Sequence, residues 1–138
     1  MRYVEKEDLI EVIQERMLDD SVELDDAILD GLEEKAISFT ITYISGRYKT
    51  DEIFGTPVMR HPVLVQAIAM IVVYRAVRRN AARKVPEDYT DIYKEAKEIL
   101  NNIQSGRQTL PGMPEITGDD GTTATLMYGN TTNDDFFI

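Results

Sequence analysis

A chain of 138 residues is long enough for one hydrophobic core. Its net charge of −10 makes it a poor general binder of nucleic acid, because phosphates demand a basic face. With no cysteine and one histidine, disulfide frameworks, thiolate metal sites and thiol nucleophiles are excluded.

The charge is polarised along the chain. Residues 1–34 hold thirteen acids against three bases, whereas residues 60–84 hold six bases and no acid. Such polarity fits copies meeting head to tail, acidic face against basic face; it also fits charges that merely solvate the surface. The opening residues are charged with no early apolar stretch, which predicts no secretory leader.

In chain order, Leu9, Val12, Ile13 and Met17 recur at helical spacing, with Glu7, Asp8, Glu11 and Glu15 on the wet side, predicting a helix over 5–18. Asp25 is an N-cap candidate for a second helix over 25–46. Two apolar stripes run along that helix: Ile28, Leu32, Ala36, Phe39 and Tyr43, then Ile37, Ile41, Ile44 and Tyr48. Residues 37–43 also alternate like a strand and are rich in β-branched and aromatic types. No turn residue separates them from 25–36, however, so the expectation is helix. Residues 49–61, with Gly55 and Pro57, are expected to form a loop whose Ile53, Phe54, Val58 and Met59 fold back on the core.

The organising stretch follows. Pro62 leads an apolar run from Val63 to Val77 interrupted only by Gln66 and Arg75, and Arg78, Arg79, Arg83 and Lys84 close it. A helix apolar all round must be covered on every side, which places 62–84 at the centre of the fold. A membrane span needs ~20 apolar residues and is not expected here. The final helix, 86–105, has the cleanest amphipathic pattern: Tyr89, Ile92, Tyr93, Ala96, Ile99, Leu100 and Ile103, ended at Gly106. The expected core comprises Leu9, Phe39, Ile68, Ile71, Val72, Ile99, Leu100 and Ile103.

From residue 107 Gly, Thr, Asp, Asn and Pro dominate, too polar for a core of their own. Two apolar islands remain, around Leu126, Met127 and Tyr128 and at Phe136, Phe137 and Ile138. They read as segments that order against a partner, or as incidental hydrophobes on a frayed end. The expected organisation is thus a helical domain over 1–106 and an extended arm over 107–138.

Little in the sequence suggests catalysis. His61 precedes a proline at a helix start, where capping or packing accounts for it. The Asp pairs 19–20, 25–26 and 119–120 do not fit a twelve-residue calcium loop closed by glutamate. Neither a phosphate-cradling Gly-rich loop nor a Gly-x-Ser-x-Gly elbow occurs. No enzyme activity, cofactor or metal is expected. Arg75, Arg78, Arg79, Arg83 and Lys84 could grip phosphate or a neighbour's carboxylates, or simply form a solvated helix end.

Over residues 1–111 the chain resembles phage head–tail connector (adaptor, or head-completion) proteins. The resemblance rests on the order and spacing of Tyr3-Val4-Glu5-Lys6-Glu7-Asp8-Leu9, Tyr43-Ile44-Ser45-Gly46-Arg47-Tyr48, the Pro-led apolar helix, Pro86-Glu87-Asp88-Tyr89 and Gly106-Arg107-Gln108-Thr109-Leu110-Pro111. The loop over 49–61 is longer than the usual connector pattern. The resemblance implies an all-α, four-helix connector-like bundle with an extended C-terminal tail. It further implies a homo-oligomeric ring, a dodecamer, in the virion neck below the portal, assembled in the host cytoplasm. The portal protein and a tail or stopper component would be its partners, and DNA would only pass through the lumen. Arg47, Tyr48, Arg75, Arg78, Arg79 and Arg83 are the candidate subunit-interface residues. Leu126, Met127, Tyr128, Phe136, Phe137 and Ile138 are the candidate docking residues of the tail. The rival reading from another class is a helical regulatory or adaptor module that binds a protein partner in the host cell. An enzyme working through carboxylates is a more distant one.

Overall fold

A computed structural model describes residues 1–13, 26–80 and 85–116. Among these the protein is all-α: α1 Lys6–Ile10, α2 Asp26–Ile44, α3 Thr50–Ile53, α4 Pro62–Asn80 and α5 Glu87–Ser105. The central helix α4 packs against α1, α2 and α5, and α2 also meets α5. None of these helices is long and apolar enough to cross a membrane.

The apolar run becomes the core. Leu64, Ala67, Ile68, Ile71, Val72, Val73 and Ala76 of α4 are all fully buried. From α5, Ala96, Leu100 and Ile103 face them at the expected three- and four-residue spacing. His61 caps α4: its Nδ1 accepts the Val63 N–H at 3.2 Å. Ile99 and Phe39, expected in the core, are only half-buried. Ile99 flanks the buried seam of α5, and the Phe39 ring lies in a surface cluster of aromatic residues.

Residues 37–43 are helical, not extended. Here the helical spacing prevailed over the alternation, because α2 buries one seam lying between its two predicted stripes: Leu29, Leu32, Ala36, Ile37, Thr40 and Ile44. The β-branched threonines fit because their hydroxyls find helical carbonyls. Thr40 donates to the Ala36 carbonyl at 2.9 Å and Thr42 to that of Phe39 at 2.6 Å.

Two expectations are corrected. The first helix ends at Ile10 rather than running on regularly, since Val12 and Ile13 both bond back to the Leu9 carbonyl in a tight turn that buries Ile13; residues 14–18 lie outside the described residues, as do 81–84 of the expected central helix. The loop over 49–61 contains the single turn α3, which drives Ile53 and Phe54 into the core. Gly55 follows because a Cβ there would stand 2.6 Å from the Asp51 carbonyl oxygen.

The N-terminal segment is held by a buried acid. Glu33 is 1% exposed, and its Oε1 accepts the N–H groups of Tyr3 and Val4 at 2.7 and 2.8 Å while Oε2 accepts that of Arg2 at 2.7 Å. The Tyr3 hydroxyl then donates to the Met59 carbonyl (2.9 Å) and accepts the His61 N–H (3.1 Å). Burial pushes the Tyr3 phenol up from its ordinary value, so it remains the protonated donor that this contact needs.

Residues 107–116 lie on the domain. Leu110 is buried, and its N–H donates to the Tyr48 hydroxyl at 2.8 Å. Lys49 donates to the Pro114 carbonyl, and Ile116 to that of Arg47. A chain ending at residue 106 should therefore melt more than about 4 °C below one ending at residue 116, a difference that circular dichroism would register. The turn into this segment needs Gly106, at φ +85°, where an added Cβ would stand 3.0 Å from the Arg47 guanidinium. Gly106→Ala is expected to cost about 1–2 kcal/mol in a urea titration.

Candidate functional site

Towards its end α4 carries Tyr74 and Arg75 and closes on Arg78 and Arg79, and the fold brings Tyr74 and Arg75 together with aromatic residues of α2 and α5. The Tyr74 ring stacks on Tyr93, centroids 4.2 Å apart and planes 9° from parallel. Phe39 extends the stack to Tyr93 at 6.2 Å, and Tyr43 meets Phe39 edge-on at 5.1 Å. Two cations lie over these rings, Arg75 at 5.9 Å from Phe39 and Lys97 at 4.8 Å from Tyr93. All four aromatic residues are half-buried. Arg78 and Arg79 extend the cationic surface, exposed in the last turn of α4. The Nε of Arg75 is buried with no hydrogen-bond partner. A buried donor left this way is costly, and Arg47 Nε is in the same condition.

At the other end of α4 lies a cleft of about 700 Å³ between α1, the start of α4 and Ile92 of α5. Its lining is largely apolar, with Val12, Pro62, Val65, Ala69, Met70 and Ile92 beside Gln66. Asp8, Glu11 and Arg60 complete the lining. Arg60 is held there by Asp8 at 2.7 Å and Glu5 at 3.6 Å. Among the described residues, no group of three or more His, Asp or Glu could hold a metal ion.

Of the residues singled out from the sequence, Arg75, Arg78 and Arg79 share one surface. Arg47 is half-buried against Gly106, and Tyr48 is 1% exposed with its hydroxyl engaged inside the chain. Arg83, Leu126, Met127, Tyr128, Phe136, Phe137 and Ile138 lie outside the described residues. Sequence reasoning missed the stack itself and Lys97. The signal was present in two four-residue spacings, Phe39 with Tyr43 and Tyr93 with Lys97, which place each pair on one helix face.

Fold and surface together define a small all-α protein with an aromatic, basic face and a cleft partly lined by acidic residues. A family model described as Bacteriophage Mu, Gp36 matches residues 2–125. The chain belongs to that family and is a phage protein. No curated protein and no solved structure matches it.

Proposed function

We propose that this protein is a structural component of the virion, a head–tail connector whose copies form a ring beneath the portal. The observation that carries the reading is the polarity of a phage-family chain: a basic, aromatic surface at one end of its central helix and acidic residues around a cleft at the other. Contacts between two different faces generate closed rings when the rotation per subunit closes. The role is architectural, joining the DNA-filled head to the tail, and draws on no catalytic group or cofactor. A net charge of −10 suits a lumen that DNA must slide through without sticking. The portal would hold the ring from above and a tail or stopper component from below, with the apolar islands at Leu126–Tyr128 and Phe136–Ile138 as docking segments.

The test is binding to DNA-filled, tailless heads. Purified protein is mixed with such heads, free chain is removed by sedimentation, and bound copies per head are counted. A saturable, fixed complement at the portal vertex is expected. Failure to bind, or scattered binding over the capsid, would refute the connector reading.

A further inference from the structure

We infer that the cleft between α1 and α4 receives the arginine end of α4 from a second copy of the chain. This rests on the ring reading and specifies which two faces meet. Pro62, Val65, Gln66, Ala69 and Met70, which line the cleft, occupy one side of α4. At about 100° per residue, Arg75, Arg78 and Arg79 project from the opposite side, roughly 200° around the axis. Arg78 is also about 20 Å further along the helix than Val65, at 1.5 Å per residue. A rigid helix cannot bring its own arginines into its own cleft. A neighbouring copy can, and the contact then repeats from subunit to subunit.

The chemistry of the two faces matches. An arginine side chain lays its methylene stem on apolar surface and presents its guanidinium to carboxylates. The cleft offers both, apolar lining from Val12, Val65, Ala69, Met70 and Ile92 together with the carboxylates of Asp8 and Glu11. Asp8 already pairs with Arg60, whereas Glu11 is exposed and makes no ion pair among the described residues. On the other face, Arg78 and Arg79 are likewise exposed without an ion pair among the described residues. Nucleic acid would also attract arginines, but it would leave the cleft empty and would meet a chain of net charge −10.

The natural absence of cysteine makes the contact directly testable in the full chain. Glu11→Cys with Arg78→Cys, treated with a short bis-maleimide that spans an arginine–glutamate pair under conditions where the wild type assembles, should give a ladder of covalent multimers. Either single cysteine variant should stop at dimers. In sedimentation velocity, Arg78→Glu with Arg79→Glu should raise the concentration for half-assembly at least about tenfold, and adding Glu11→Arg should recover most of that loss. All three substituted positions are exposed, and unchanged thermal melts would confirm folding. An assembling wild type whose double-cysteine variant yields no ladder, and whose charge variants assemble normally, would overturn this contact and leave the ring standing. Charge variants that lose duplex DNA binding but assemble normally would assign the arginines to nucleic acid and overturn it as well. A wild type that remains monomeric both in concentrated solution and on tailless heads would overturn the ring and the contact together.

Discussion

Replacing Glu33 with alanine is expected to destabilise the protein by about 3–5 kcal/mol, because a hydrogen-bonded buried charge is removed and its donors are left behind. The N–H groups of Tyr3 and Val4 are buried and have Glu33 Oε1 as their acceptor, while that of Arg2 has Oε2. Glu33→Gln separates charge from geometry. Its amide oxygen can keep the two bonds at Oε1, and its NH₂ group cannot accept from Arg2, so a smaller loss of about 1–2 kcal/mol follows. Urea denaturation of the two variants checks both values. A loss below ~1 kcal/mol for the alanine variant would mean that the N-terminal segment does not depend on this carboxylate.

Ile71→Ala is expected to cost about 2–5 kcal/mol through lost apolar burial and the cavity left behind. Ile71 is fully buried on α4, with Ile68 and Val72 beside it, and the helices that cover it leave little room to relax. A comparable truncation at Ile99, which is half-buried, should cost clearly less. Equal losses at the two positions would contradict the central placement of α4.

The contrast between Ile71 and Ile99 shows how far the sequence could be read. The apolar run of α4 has no polar side, so its burial followed from composition alone. On α5 the three- and four-residue pattern identified the buried face, but the pattern does not say where a seam ends. Ile99 therefore looked equivalent to Leu100. Residues 37–43 satisfied a strand pattern and a helix pattern at once. The continuous helical context decided between them, and the threonine hydroxyls bonded to helical carbonyls show why the β-branched residues were tolerated. Glu33 was not legible: in the sequence it is one of thirteen acids before residue 35, and only the return of Tyr3 and Val4 onto α2 makes it different. The candidate site was half legible. The arginines were visible as a cluster, but the stack of Tyr74 on Tyr93 joins two helices that no local spacing relates.

The proposed role in joining head to tail is tested best by the content of a lysate made by phage lacking this protein. Electron microscopy of that lysate should show heads containing DNA and complete tails, unjoined, and adding the purified protein should restore infectious particles. Joined, infectious particles in its absence would contradict the account, as would a lysate containing neither heads nor tails, the outcome expected of a regulatory module acting earlier in the host cell.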